Sequence, residues 1–266
     1  MGPLDELGHH IEELLEDLSG KDIADFGWGS ITTYSVWLVI ILALLLVVVL
    51  VVKSRVSLVP KKGPTAAIEA TVDYIRKEIG YGVLGSKAAV DKHMPFLLTV
   101  FFFILAANLV GLIPGAKAAT GTFSVTLALA VVSFVYFNYY GLKHSGLLTY
   151  IKNIAPSGIM PGLNILVWLI EFFSLFLRIV TLSVRLFANM FAGHIVIGTF
   201  AILTSLFVFP AINEFSMAAL GGAAPALGWI ILLVMMYAME LLVAFIQAYV
   251  FTLLSAVYIH LATSDH

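Results

Sequence analysis

From residue 163 to residue 207 the chain runs 45 positions without a proline and with only three charged side chains, Glu171, Arg178 and Arg185. As one helix this segment would be roughly 68 Å long at 1.5 Å per residue, about twice the hydrocarbon core of a bilayer. Residues 225–262 repeat the pattern over 38 positions with the single acid Glu240. Three shorter apolar runs, 34–52, 95–113 and 123–142, are each long enough to cross a bilayer. Lipid must therefore be the solvent for most of the chain, and in lipid only helices or closed barrels satisfy the backbone. Charged residues make up 11% of the chain, against about 25% in an ordinary soluble domain. The net charge of −2 points to neither nucleic acid nor an acidic substrate, and the absence of cysteine excludes disulfides and thiolate chemistry. The acidic N-terminus does not read as a secretory signal peptide.

The expected architecture is an all-α membrane protein with about five transmembrane helices, the last two long and tilted as an antiparallel hairpin, plus interfacial amphipathic helices. Residues 1–33 form an acidic segment with eight Asp or Glu and one Lys, and residues 34–266 form a single transmembrane domain. Apolar residues Leu4, Leu7, Ile11, Leu14, Leu15 and Leu18 have the spacing of a short amphipathic helix. Residues 53–92 hold eight of the fourteen Lys and Arg, which places them in the cytoplasm and the N-terminus outside. Pro114-Gly115 breaks the chain after the second span, and the following loop carries only Lys117, as an outside loop should. Residues 145–153 look interfacial, and Pro210 with Gly221-Gly222 marks the turn between the long segments. Loop charges agree with single tilted crossings and a cytoplasmic C-terminus. The first long segment could break near Gly193 or Gly198 and cross twice, but breaking either long segment into two spans would spoil that agreement, so tilt is preferred.

Ionisable groups inside a membrane segment are candidates for function, since each costs at least about 2.5 kcal/mol at the bilayer centre on insertion scales. Glu171, Arg178 and Arg185 are seven apart, and Asn189 follows four later, so they share a face that drifts only about 20° per step. Glu240 and Gln247 are likewise seven apart. In an antiparallel hairpin, facing residues have nearly constant index sums. Arg185 with Gln247 gives 432 and His194 with Glu240 gives 434, so one register brings both pairs to matching depths. Blander roles stand beside these. Arg178 could pair with Glu171 or snorkel to the interface, His194 and Glu240 could be a structural pair, and Asn189 and Gln247 could be interhelical glue. No cofactor or metal is expected, because His194 lacks a second histidine at the spacing of a metalloprotease helix. A secondary transporter is the main alternative, although it would normally show inverted repeats and broken helices, which the sequence lacks; a non-catalytic assembly scaffold would not need polar groups aligned with Arg185.

Three stretches carry a family resemblance. LSVRLFANMFAGH at 182–194, LLVAFIQAYVFTLLSAVYI at 241–259 and NLVGLIPG at 108–115 resemble the subunit a family of F-type ATP synthases. The resemblance implies a non-catalytic, proton-translocating stator subunit of a multi-pass bacterial plasma (inner) membrane complex. Its partners would be the c-ring, the peripheral stalk b subunits, protons and the lipid bilayer, with no nucleic acid. It implies that Arg185 matches the arginine facing the c-ring carboxylate, Gln247 the glutamine beside it, Asn189 the motif asparagine, and Glu171 the acid of a cytoplasmic half-channel; Arg178 is a possible supporting residue. In one respect the chain departs from many bacterial relatives. They place Glu after the motif glycine and His on the last helix, whereas here His194 follows Gly193 and Glu240 lies across from it.

Overall fold

The computed structural model describes residues 8, 12, 22–25, 30–55, 63–147, 163–214 and 224–264. Among them are five helices long and apolar enough to cross a membrane. The first, α1 (Thr33–Arg55), is apolar on every side. Of its large side chains only Tyr34 and Ile41 are buried, and it packs mainly on the second spanning helix. A short helix, α2 (Pro64–Ile75), continues as a nine-residue π-helical segment, Arg76–Leu84. Ile75, Ile79, Gly80 and Leu84 are its buried residues, and an exposed ion pair between Arg76 and Asp91 links it to the helix that follows.

The central helix is α3 (Lys87–Gly111). The apolar span read from the sequence at 95–113 lies largely within it. The helix begins at Lys87, where Ser86 Oγ accepts the Ala89 N–H at 3.2 Å, and Pro95 lies within it. Thr99 Oγ1 donates back to the Pro95 carbonyl at 2.8 Å. Gly115, with φ of 86°, allows the turn that ends this hairpin arm. After a single 3-10 turn at Ala119–Gly121 comes α4 (Phe123–Ser145). Thr126, Ala130, Ser133, Phe137 and Gly141 are its buried residues, at helical spacing, so the face turned inward is made largely of small side chains. That is the pattern expected where lipid supplies no hydrophobic drive and helices must gain from close approach.

The two remaining helices are α5 (Leu163–Glu214) and α6 (Ala224–Thr263), of 52 and 40 residues. The first is unbroken through Gly193 and Gly198 and also passes Pro210, which the sequence pattern assigns to the turn. Its apolar stretch, Ile165–Leu206, spans 42 residues, or about 63 Å; to stay within a 30 Å core its axis must lean roughly 60° from the bilayer normal. α6 touches α3, α4, α5 and the π-helical segment. Its buried seam, Ala244, Gln247, Ala248, Phe251, Thr252, Ser255, Ala256 and Ile259, recurs every three or four residues. Ser255 is hydrogen-bonded to Ser133 of α4 at 2.9 Å, and that pair is fully buried.

The N-terminal segment also holds a feature the sequence did not suggest, a small antiparallel pair of strands, Asp22–Asp25 and Ser30–Thr32. Of the expected amphipathic helix over residues 4–18 only Gly8 and Glu12 are described, both helical and exposed; the interfacial stretch beyond residue 147 and Gly221-Gly222 lie outside the described residues.

Candidate functional site

The hairpin register inferred from index sums is visible where α5 and α6 meet. Gly193 is buried against the Glu240 carboxyl group, so closely that a Cβ added at Gly193 would lie 2.6 Å from Glu240 Oε2. Their indices sum to 433, between the two sums found in the sequence. A hydrogen atom in place of a side chain is what lets the carboxyl group, only 7% exposed, sit between the two helices.

His194 follows on the next position and turns toward α3. Its Nε2 is buried and has no hydrogen-bond partner among the described residues. It would lie 3.2 Å from a Cβ at Gly111, so Gly111 makes room for the imidazole. In front of His194 lies a cavity of about 250 Å³. Tyr34 of α1, the turn from Gly111 to Ala118, His194, Ile197, Gly198 and Ala201 of α5, and Tyr237 of α6 form its walls. Ile113, Pro114 and Gly115, on its rim, are exposed. The space has room for several waters at about 30 Å³ each, and its hydroxyl, imidazole and ammonium groups suit them. Lys117 lines it too, with its ammonium 5.9 Å from the centre of the Tyr34 ring.

Arg185 lies two and a half turns from this level and has a different environment. It is exposed, on a stripe with Phe173, Leu177, Val180, Val184, Ala188 and Ala192, all of them apolar and exposed. No hydrogen bond or ion pair engages its guanidinium among the described residues. Leu242, Phe245 and Ile246 of α6 are exposed as well. Gln247, at the depth matching Arg185 in the register, is by contrast 7% exposed and turned inward. The structure therefore places these two at the same level but gives them different faces. Asn189 is half-buried, and its Nδ2 has no partner among the described residues.

Glu171 and Arg178 are half-buried, and no ion pair joins them among the described residues. The Arg178 guanidinium instead lies 4.8 Å from the ring centre of Tyr258 on α6, a cation–π geometry.

Sequence reasoning missed Tyr34, Lys117, Tyr237 and Gly111, which only the fold collects around His194. It also missed Asn108, fully buried and accepting a 2.7 Å hydrogen bond from Thr120 Oγ1. The signal for Asn108 was its place at the head of NLVGLIPG.

Five apolar helices with a buried acid, an imidazole beside a cavity and an exposed arginine on an apolar face define a multi-pass membrane protein with ionisable groups at mid-length. The family profile described as ATP synthase A chain matches residues 33–260. ATP synthase subunit a of Chlorobium phaeobacteroides is 37% identical over 239 residues, covering 88% of this chain and 66% of the relative. ATP synthase subunit a 2 of Prosthecochloris aestuarii is 38% identical over 88% of this chain and 69% of the relative. ATP synthase subunit a of Anaeromyxobacter dehalogenans is 40% identical over 84% and 55%. The chain thus belongs to the ATP synthase A chain family, and it spans between about half and two-thirds of the length of these relatives.

Proposed function

We propose that this chain is the proton-translocating stator subunit of an F-type ATP synthase, with Arg185 as the fixed cation that a ring of membrane-embedded carboxylates passes. The observation that carries this reading is the place of Arg185, a guanidinium on an exposed apolar face of the hairpin with no anionic partner in its own chain among the described residues. A cation on such a face calls for an anion from a neighbouring membrane protein. The c-ring supplies one: each of its carboxylates is neutral in lipid when protonated, and needs a counter-charge when ionised.

On this reading Arg185 favours the ionised carboxylate and so drives release of its proton. Guanidinium does not deprotonate in proteins, so it cannot relay a proton between the two sides. Arginine thereby separates two half-channels. The outer one is the cavity leading to His194, with Glu240 behind it on α6. The inner one passes Glu171, nearer the other end of α5. Gln247, at the depth of Arg185 but turned inward, and Asn189, one turn further along α5, add polar groups at that level, and Arg178 supports the hairpin through Tyr258. A proton crossing about 100 mV releases about 2.3 kcal/mol, which biases rotation of the ring. ATP chemistry belongs to other subunits, with the peripheral stalk b subunits holding this one still. The N-terminus faces out and the C-terminus faces the cytoplasm of a bacterial plasma membrane, as the basic stretch 53–92 favours.

The test is Arg185→Ala in the assembled complex in sealed vesicles, following ATP-driven acidification and passive proton leak. Intact assembly with loss of pumping and raised leak is the expected result. Normal ATP-driven pumping would overturn the stator reading.

A further inference from the structure

The outer cavity contains a charge that the half-channel mechanism does not use. Lys117 comes from the turn after α3, lines the same cavity as His194, and is the only charged side chain among the lining residues described. The titratable groups facing the cavity are Tyr34 from α1, Tyr237 from α6 and His194 from α5, with Glu240 behind Gly193. Imidazole and carboxylate hand on protons, but they are also the ligands that Zn2+ and similar cations take. A route built from His194 and Glu240 is therefore open to poisoning by any divalent cation that reaches it, even though no cluster of three such ligands occurs among the described residues.

We propose that Lys117 is a specificity-determining residue, its ammonium at the cavity wall holding divalent metal cations away from His194 and Glu240 while protons still pass. This rests on the stator reading. The physics is the valence dependence of the Boltzmann factor. A cavity of about 250 Å³ is about 8 Å across if round; with that width taken as the separation between the ammonium and a cation at His194, unit charges in water change a local concentration about 2.4-fold. A monovalent hydronium thus meets a modest barrier. A divalent cation meets that factor squared, about six-fold. Reversing the charge squares each factor again, to about six-fold for hydronium and about thirty-fold for a divalent cation.

The experiment uses the assembled complex in sealed vesicles at low ionic strength, with Zn2+ added on the side of the cavity mouth. The readout is the Zn2+ concentration that halves proton conduction in the unmodified protein, Lys117→Gln, Lys117→Glu and Lys117→Arg. That concentration should fall about six-fold in Lys117→Gln and about thirty-fold in Lys117→Glu, and stay unchanged in Lys117→Arg. The differences should collapse as salt is raised, since the Debye length shrinks to about 3 Å at 1 M. A purely structural role for Lys117 would lower conduction without changing Zn2+ sensitivity. Equal Zn2+ sensitivity in the glutamine and arginine variants would overturn the proposal, whether or not the glutamate variant assembles. The stator reading is judged separately by Arg185→Ala, so Lys117 variants that behave like the unmodified protein sink this inference alone.

Discussion

Replacing Gly193 by alanine would put a methyl carbon 2.6 Å from Glu240 Oε2, well inside van der Waals contact. Relief requires either that the carboxyl group rotate out of a site where it is 7% exposed or that α5 and α6 separate. Overpacking of this kind costs about 1–3 kcal/mol. The cost belongs to one contact, so it should depend on the partner. Shortening that partner by a methylene, with Glu240→Asp, withdraws the oxygens and makes room for the methyl. The expected coupling in a cycle of Gly193→Ala, Glu240→Asp and the double variant is at least about 1 kcal/mol, above the roughly 0.3–0.5 kcal/mol scatter of independent sites. The assay is detergent-induced unfolding in mixed micelles followed by circular dichroism. Additive effects within that scatter would refute the contact and, with it, the register that sets Glu240 against Gly193.

Thr120→Val removes the donor to Asn108 Oδ1 in a fully buried pair, which should cost about 1–3 kcal/mol in the same unfolding assay because the amide is left without that partner. Ser133→Ala and Ser255→Ala break one buried interhelical bond; their coupling should be about 0.6 kcal/mol, the typical membrane value, and a cycle showing none would remove the bond as a tie between α4 and α6. Exchanging the outer pair, His194→Glu with Glu240→His, should retain more proton conduction in vesicles than His194→Glu alone. An exchange no better than the single variant would show that the two positions do not act together.

What the sequence alone decided follows from lipid as solvent. Long apolar runs fold as helices where no water can serve the backbone, so the spanning elements were legible in the amino-acid order itself, and the loop charges favoured one continuous α5. The hairpin register was legible too, because a helical rise is constant and facing indices must share a sum, which is why 432 and 434 bracket the observed 433. Rotation about each helix axis was not. Spacing put Arg178 and Arg185 on one face, yet one meets Tyr258 and the other faces outward. That difference depends on which neighbour each turn of α5 touches, and α4 and α6 decide it through close packing of small residues. The cavity was equally illegible. Tyr34, Lys117, His194 and Tyr237 are distant in the sequence, and only the docking of α1 and the α3–α4 turn onto the hairpin brings an ammonium, an imidazole and two phenols around one space. Burial along a single helix leaves a periodic trace in its own residues, whereas a site assembled from four segments leaves none in any of them.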